Sequence, residues 1–361
     1  MSHAEVSGLM AVRNGSRYLA ESLDSLCHQL QPLDEVVIVD DASTDRTPQI
    51  LEDYRSRLPR ANVIRNCKPA GVAKSLNRGL ALCSGKYIAR FDSDDLSSHK
   101  RIQRQAEYLS ENAAVGVVAS WYEKIAGDGA RREVVRAPLR HWDLYLRLLI
   151  ENPICHPSVM MRRDILVSAG GYDEAFWTAQ DTELWGRLFP KVKFYCLPEV
   201  LVQYRVHDSQ VSKCRGEAGQ RLSVEAQRRA ISEFVGAPLT YSQVLGFRRV
   251  TSSSLGSRHD VAGFWLVVDR LREAALGRVD RERALQFSEE LMRRAFRAVR
   301  RCPGNVCAKA ELLYGIVRRR PDLFAKKASR LAVRVPPEAV AQAGMQEKAF
   351  DVSTYRPASG R

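Results

Sequence analysis

Short apolar, β-branched runs alternate with longer amphipathic stretches over residues 1–214, the pattern of strands and helices taking turns in a largely parallel α/β sheet. Val6 to Val12 predicts a first strand. Leu19, Leu23, Leu26 and Leu30 then recur at offsets of 4, 7 and 11, one apolar stripe on a helix able to cover that sheet. Glu35 to Val39 predicts a second strand, ending at Asp40-Asp41. Thr47-Pro48 opens a helix, with the hydroxyl as N-cap and the proline at the first helical position, where its missing N–H costs little. Val63-Ile64 is a third strand. A helical stretch runs from Gly71 through Leu76, Leu80 and Leu82 to Gly85, and Tyr87 to Phe91 is a strand that meets Asp92-Ser93-Asp94-Asp95. Ser98 caps the next helix, striped by Ile102, Ala106 and Leu109.

Beyond Cys214 the pattern becomes purely helical and rich in arginine, broken by loops at Gly236-Ala237-Pro238 and at 251–256. Phe287, Leu291, Ala295 and Val299 share one helical face, with Arg293, Arg294, Arg297, Arg300 and Arg301 mostly elsewhere. The tail from Met345 to Arg361 is polar and reads as mobile.

At 361 residues the chain suggests two or three units, and it carries 56 Lys+Arg against 42 Asp+Glu, a net charge of +14. That excess is uneven. Residues 1–214 hold 28 basic and 27 acidic side chains, whereas residues 215–361 hold 28 and 15. The first segment is therefore balanced, and the helical one supplies nearly all the charge. Eight cysteines without a C-x-x-C pair suggest neither zinc ribbon nor redox motif, but a reduced, cytoplasmic chain. Neither a signal peptide nor a membrane span is written: the longest strongly apolar run, Phe264 to Val268, is far below the roughly 20 residues a span needs.

Two strands run straight into acids, and the crevice beyond the carboxyl ends of parallel strands is where open sheets bind ligands. Alternate carboxylates at 92–95 repel one another unless a hard cation such as Mg²⁺ or Mn²⁺ sits between them, and such ions bind through one or two carboxylates plus substrate phosphates. By itself the tetrapeptide reads equally as a solvated turn leading into the Ser98 helix.

The wider context decides in favour of a ligand site. Asn14-Gly15, Val39-Asp40-Asp41-Ala42-Ser43-Thr44-Asp45, Gly71 to Gly79, and Gly85-Lys86-Tyr87-Ile88-Ala89-Arg90-Phe91-Asp92-Ser93-Asp94-Asp95 follow the order and spacing of family 2 glycosyltransferases. Asn152 to Arg163, Gly170-Gly171-Tyr172-Asp173-Glu174, Ala179-Gln180-Asp181-Thr182-Glu183-Leu184-Trp185 and Tyr204-Arg205-Val206-His207 extend the match to roughly residues 4–213. The chain thus resembles an inverting, nucleotide-sugar-dependent enzyme of the GT-A fold: a Rossmann-like, mostly parallel sheet flanked by helices, here with a C-terminal helical region. The implied organisation is a nucleotide-sugar-binding half over 1–110, an acceptor and catalytic-base half over 111–213, and a basic helical region over 214–361.

The resemblance implies site roles. Asp41 would bind the nucleobase, Asp92 and Asp94 would hold ribose and metal at the diphosphate, and Asp181 would be the general base. Lys74, on the first turn after Gly71, meets a phosphate or is a solvated helix lysine. Arg13 stands where relatives often carry a stacking tyrosine, and its guanidinium plane can replace that ring or face solvent. Gln180 replaces an acid that many relatives place before the base. His156 contacts acceptor or phosphate, or is a histidine satisfied within the fold. Trp185, four residues after Asp181, shares its helical face and would wall the acceptor site. Trp121, Tyr122, Trp142 and Trp177 read as sugar platforms or as core.

The function implied is transfer of one sugar from a nucleotide diphosphate sugar, uridine-linked by leaning, to a glycan or lipid-linked acceptor, aided by a divalent metal. A nucleotidyltransferase shares the metal and the diphosphate, and a decayed binding module with a basic tail shares the charge. The block from Gly170 to Trp185 favours glycosyl transfer, and retention of Asp92, Asp94 and Asp181 favours a working enzyme. No nucleic-acid motif accompanies the basic helices, which fit an anionic membrane surface at the inner face of the cell membrane or a solvated cap.

Overall fold

A computed structural model describes residues 5–208, 210, 216–301 and 306–319. The tail expected to be mobile lies outside these residues. The chain divides into two compact units, Met1–Ala230 and Ile231–Arg361, so the division falls inside a helix, beyond the 213/214 boundary that composition suggests.

In the first unit the elements run β1 (Val6–Val12), α1 (Leu19–Cys27), β2 (Glu35–Asp40), α2 (Thr47–Tyr54), β3 (Asn62–Arg65), α3 (Val72–Leu80), β4 (Tyr87–Phe91), β5 (Leu96–Ser97) and α4 (Arg101–Glu111). They continue as β6 (Val115–Ala126), β7 (Arg131–Val135), α5 (His141–Leu148), β8 (Met160–Arg162), α6 (Arg163–Ser168), α7 (Gln180–Leu188), β9 (Lys193–Val206) and α8 (Gly216–Val235). One sheet joins the strands in the order β3-β2-β1-β4-β8-β6-β9-β5, with β7 on β6. The pairs among β1 to β4 are parallel, as the alternation predicts. From β8 onward the sheet is mixed, antiparallel at β4–β8 and β6–β8 and parallel again at β6–β9.

The strands are buried because their β-branched runs face helices on both sides: every residue of β4, and Val36 to Asp40 of β2, is buried. Leu19, Leu23 and Leu26 of α1 are buried in the main core, each worth about 1.5–3 kcal/mol. Leu30, the fourth expected member of that stripe, lies beyond the helix end and is 60% exposed. Helix α3 lies tight on the sheet, since a Cβ at Gly79 would come 2.6 Å from Leu9 and 3.1 Å from Val39. That close approach seats the C-terminal turn of α3 on β1 and β2.

Two expected caps are used otherwise. Arg46 is the residue before α2, and the Thr47 hydroxyl accepts instead from the Gly15 N–H at 2.9 Å. Lys100 precedes α4, and Ser98 contributes its backbone carbonyl to Arg101 N rather than its hydroxyl.

The second unit contains α9 (Tyr241–Thr251), α10 (Arg258–Arg278), α11 (Arg281–Arg301) and α12 (Val306–Arg319). Capping boxes start α9, through Thr240 and Gln243, and α10, through Ser257 and Asp260. In α11 the face of Phe287, Leu291, Ala295 and Val299 is buried, and Arg293, Arg297, Arg300 and Arg301 are exposed. Arg294, expected outside with them, is buried and donates to Glu290 at 2.9 Å. Among the described residues no helix is long and apolar enough to cross a membrane.

Candidate active site

The carboxyl ends of β1, β2 and β4 open on one rim. There the loop after β1 is laced to the loop after β2: Asn14 N donates to Ser43 Oγ, Thr44 N to Asn14 Oδ1, and Ser16 N to Asp45 Oδ2, all within 3.0 Å. Burial works against the Asp45 charge, but the bonds from Ser16 and Thr47 outweigh it and draw that carboxyl down to about 2. Arg13 stands exposed on this rim.

Asp41 is 4% exposed, and its two oxygens are engaged by the protein: Oδ1 accepts from Asn66 Nδ2 and Ala70 N, both at 2.7 Å, and Oδ2 from Gly71 N at 2.9 Å. Burial opposes its ionisation, yet these donors hold its carboxyl below the usual range. Asp41 therefore shapes the 66–71 loop that leads into α3, where Gly71 takes a φ of +90° and Lys74 points out from the first turn, exposed.

The acidic cluster follows β4. Asp92 Oδ1 accepts from the buried Arg90 at 2.6 Å, while two further guanidinium nitrogens of Arg90, Nε and Nη1, are buried without a partner. Asp94 Oδ2 meets His207 Nε2 at 2.8 Å. Asp95 is buried, with Oδ1 accepting from Arg205 N at 2.8 Å and Oδ2 unpartnered. Burial, then the charge of Asp92, raises the Asp94 carboxyl, and burial with the charges of Asp94 and Asp92 pushes Asp95 well up. Arg205 closes this loop from behind. It is 1% exposed, donates through Nε to the Asp94 carbonyl and through Nη2 to Glu21, and covers the Tyr18 ring.

Neighbouring carboxylates, with the buried Asp95 Oδ2 lacking a donor, have the chemistry that a hard divalent cation takes. Among the described residues no three His, Cys, Asp or Glu side chains form a ready-made cage.

Asp181 lies in the first turn of α7, whose preceding residue, Ala179, takes a left-handed φ of +58°. Asn152 Nδ2 donates to Asp181 Oδ2 at 2.8 Å, and Thr182 N to Oδ1 at 2.7 Å. Burial raises the Tyr172 hydroxyl, Arg90 opposes that rise, and the charges of Asp181 and Asp92 add to it.

Two expected acceptor residues are buried. Trp185 is fully buried, edge-on to His156 and Phe194, on the second turn of α7. His156 is 7% exposed in a short 3-10 turn; its Nε2 meets Tyr172 Oη at 2.9 Å, and burial, reinforced by Arg90, holds it neutral. Trp121 gives its indole N–H to the Ala137 carbonyl, and Trp177 is 42% exposed. Sequence reasoning assigned no part to Arg90, Asn152 or His207; only the Tyr-Arg-Val-His run signalled the last of these.

Residues 7–169 match the family model described as glycosyl transferase family 2. The putative glycosyltransferase EpsE of Bacillus subtilis is 32% identical over 218 residues, which cover 59% of this chain and 77% of that protein. The chain belongs to glycosyl transferase family 2. It is a glycosyltransferase. The amylovoran biosynthesis glycosyltransferase AmsE of Erwinia amylovora is 29% identical over 202 residues, 55% of this chain and 74% of the relative. The crystal structure of S. aureus TarS 1–349 in complex with UDP-GlcNAc shares the fold with a TM-score of 0.56 at 19% identity, over 90% of this chain and 91% of that one. Against a longer TarS crystal structure, this chain spans 55% of that chain. The family match takes in β1, β2 and β4 with the loops on their rim, and ends at residue 169, before α7.

Proposed function

We propose that the protein is an inverting glycosyltransferase moving one sugar from a uridine diphosphate sugar to a glycan or lipid-linked acceptor, with Asp181 as general base. The observation that carries this is a carboxylate on α7 held by Asn152 and Thr182, in a chain whose β4 ends in the acidic cluster of Asp92, Asp94 and Asp95. Asn152 and Thr182 hold Asp181 by donating to it, which keeps the carboxylate oriented as a proton acceptor. Asp181 takes the proton of an acceptor hydroxyl as its oxygen attacks the anomeric carbon. The bond from that carbon to the diphosphate breaks on the opposite face, so one displacement inverts the centre without a covalent enzyme intermediate.

On this reading residues 1–110 serve the donor and 111–213 the acceptor and base. Asp41 shapes the base pocket through the 66–71 loop, Arg13 and Lys74 flank the donor, and Asp92 and Asp94 hold a divalent cation, Mg²⁺ or Mn²⁺. When bound, that ion would neutralise charge on the departing diphosphate. The UDP-GlcNAc complex of the TarS neighbour supports a uridine donor, and the AmsE relative's role in amylovoran biosynthesis supports polysaccharide assembly.

The reading puts the enzyme in the cytoplasm, at the inner face of the membrane. Arg293, Arg297 and Arg300, spaced by four and three on α11, form an exposed cationic stripe suited to anionic headgroups. Binding to phosphatidylglycerol vesicles that fades with salt is expected, and equal binding to neutral vesicles would remove the assignment. For the chemistry, the purified protein is expected to release UDP from UDP-GlcNAc in a Mn²⁺-dependent, EDTA-sensitive way and to give a glycoside of inverted configuration by NMR. A product of retained configuration would overturn it.

A further inference from the structure

Helix α3 and the loop before α7 are 95 residues apart in sequence and meet through one side chain. The Asn77 amide pairs with the Tyr172 backbone as a neighbouring strand would: Nδ2 donates to Tyr172 O and Oδ1 accepts from Tyr172 N, both at 2.8 Å. Nδ2 also reaches Glu174 Oε1 at 3.2 Å. The amide lies where a side chain at 171 would stand. A Cβ on Gly171 would come 2.5 Å from Asn77 Oδ1, and Gly171 holds a φ of +69°, so only glycine admits the contact.

Both ends of this contact lead to the site. Towards the donor side, Ser75 of α3 shares Asn66 with Asp41, at 3.0 Å and 2.7 Å. Towards the base side, Arg187 of α7 donates to the carbonyls of Ala169 and Gly171 at 2.6 Å and 2.8 Å, and is itself held by Glu183. The Tyr172 hydroxyl meets His156, whose ring stands edge-on to Trp185 of the same helix. Two routes thus run from Asn77 through residues 169–172 into α7, the helix that carries Asp181.

We propose that Asn77 is a positioning residue: its amide clamps the Gly171-Tyr172 backbone to α3 and so fixes the base-bearing helix against the donor-side loop. It touches neither substrate nor reacting atom in this role. The proposal rests on Asp181 as the base. Loss of the amide leaves the 66–71 loop and its bonds to Asp41 in place while freeing the 169–172 segment, so the burden falls on turnover rather than on donor affinity.

The test compares wild type, Asp181→Asn, Asn77→Ala and the near-isosteric Asn77→Asp. UDP-GlcNAc turnover, UDP affinity by calorimetry and amide exchange across residues 170–187 are measured on the full chain. Asn77→Ala is expected to lower kcat roughly 10- to 100-fold with UDP affinity changed less than about twofold, and to speed exchange at 170–187. Asn77→Asp keeps an acceptor for Tyr172 N but cannot donate to Tyr172 O, so it should fall between. In the Asn77→Ala background, Gly171→Ala should cost less than it does in wild type, because the clash with the amide is gone. Full turnover in Asn77→Ala, or an equal loss of kcat and UDP affinity, overturns the clamp. If Asp181→Asn keeps wild-type turnover, the base assignment fails instead, and exchange judges the clamp alone: unchanged exchange at 170–187 overturns it, faster exchange supports it.

Discussion

The two units treat charge in opposite ways. The first, nearly neutral by sequence, buries Asp40, Asp41, Arg90, Asp95, Arg101, Glu183 and Arg205, whereas the second, strongly basic, buries only Asp260 and Arg294 among its described residues. Burying an ion is costly unless partners replace its water, so a fold keeps such groups where they hold a shape or do chemistry. In the first unit they gather where strands end and loops must be held open. In the second, arginines ring an ordinary apolar packing, as in α11, and their charge acts outward. Net charge therefore marks the unit with the simpler interior, and the unit that looks electrically plain contains the site.

The contrast can be broken most severely at Asp181. Asp181→Asn should reduce sugar transfer by about 10²- to 10⁴-fold while leaving UDP affinity within about twofold, measured by UDP release and calorimetry. Near-wild-type transfer would return Asp181 to an ordinary acid at a helix start.

A buried cation of the first unit gives the next largest effect. Arg101 is 1% exposed and donates to the carbonyls of Arg90 and Val159 and to Gln105 Oε1, with its plane 4.5 Å from the Phe91 ring centroid. Arg101→Ala leaves those acceptors without a donor and should cost about 3 kcal/mol or more in urea unfolding. A cost under about 1 kcal/mol would mean that the buried charges of this unit do not hold its loops.

Acid should sharpen the same point more gently. Burial, and then the charge of Lys193, draws the His141 imidazole down to about 4, and its neutral Nδ1 accepts from Phe194 N at 3.2 Å. Between pH 6.5 and 4 the unfolded chain takes up a proton that the folded chain refuses, so stability falls as pH falls through that window, by on the order of 2 kcal/mol. A His141→Gln variant should lose part of that slope; an unchanged slope would assign it to other groups, His156 first among them. The smallest effect belongs to the second unit. Arg297→Ala should change stability by less than about 0.5 kcal/mol, because the side chain is exposed on the polar face of α11.

Much of the first unit is legible in one dimension. The limits of β1 and β4 follow from their largely apolar runs, and β4 stops where the acids begin. Hydroxyls are less legible. Thr47 and Ser98 have the chemistry of caps, but Gly15, 32 residues away, claims the first, and a hydroxyl's partner is a tertiary fact. Leu30 fits the helical period, yet α1 has already ended, because periodicity does not say where a helix stops.

Trp185 and Asp181 illustrate the same limit in the site. Four residues apart they fall on one side of a helix, but the first turn projects past the core that the second turn fills, so one is partly exposed and the other is sealed. Asp92 to Asp95 are legible as a cluster, while His207, more than a hundred residues away, joins them through β9, which pairs with β5 just after the cluster and with β6. Arg294 is buried although it belongs to the arginine series of α11, paired at 2.9 Å with the half-buried Glu290 one turn earlier.

That late partner has a consequence for how the protein is made. The acidic cluster leaves the ribosome at residues 92–95, but the Arg205 amide that Asp95 accepts from, and the His207 ring beside Asp94, arrive 110 and 113 residues later. Until β9 threads in beside β6, three aspartates stand together with Arg90 as their nearest cation. Closing so long a loop is slow, so the site is among the last parts of the first unit to mature during synthesis. A nascent chain halted short of residue 205 would carry every acid of the cluster, with Arg90 to meet Asp92, but neither the Arg205 amide nor the His207 ring.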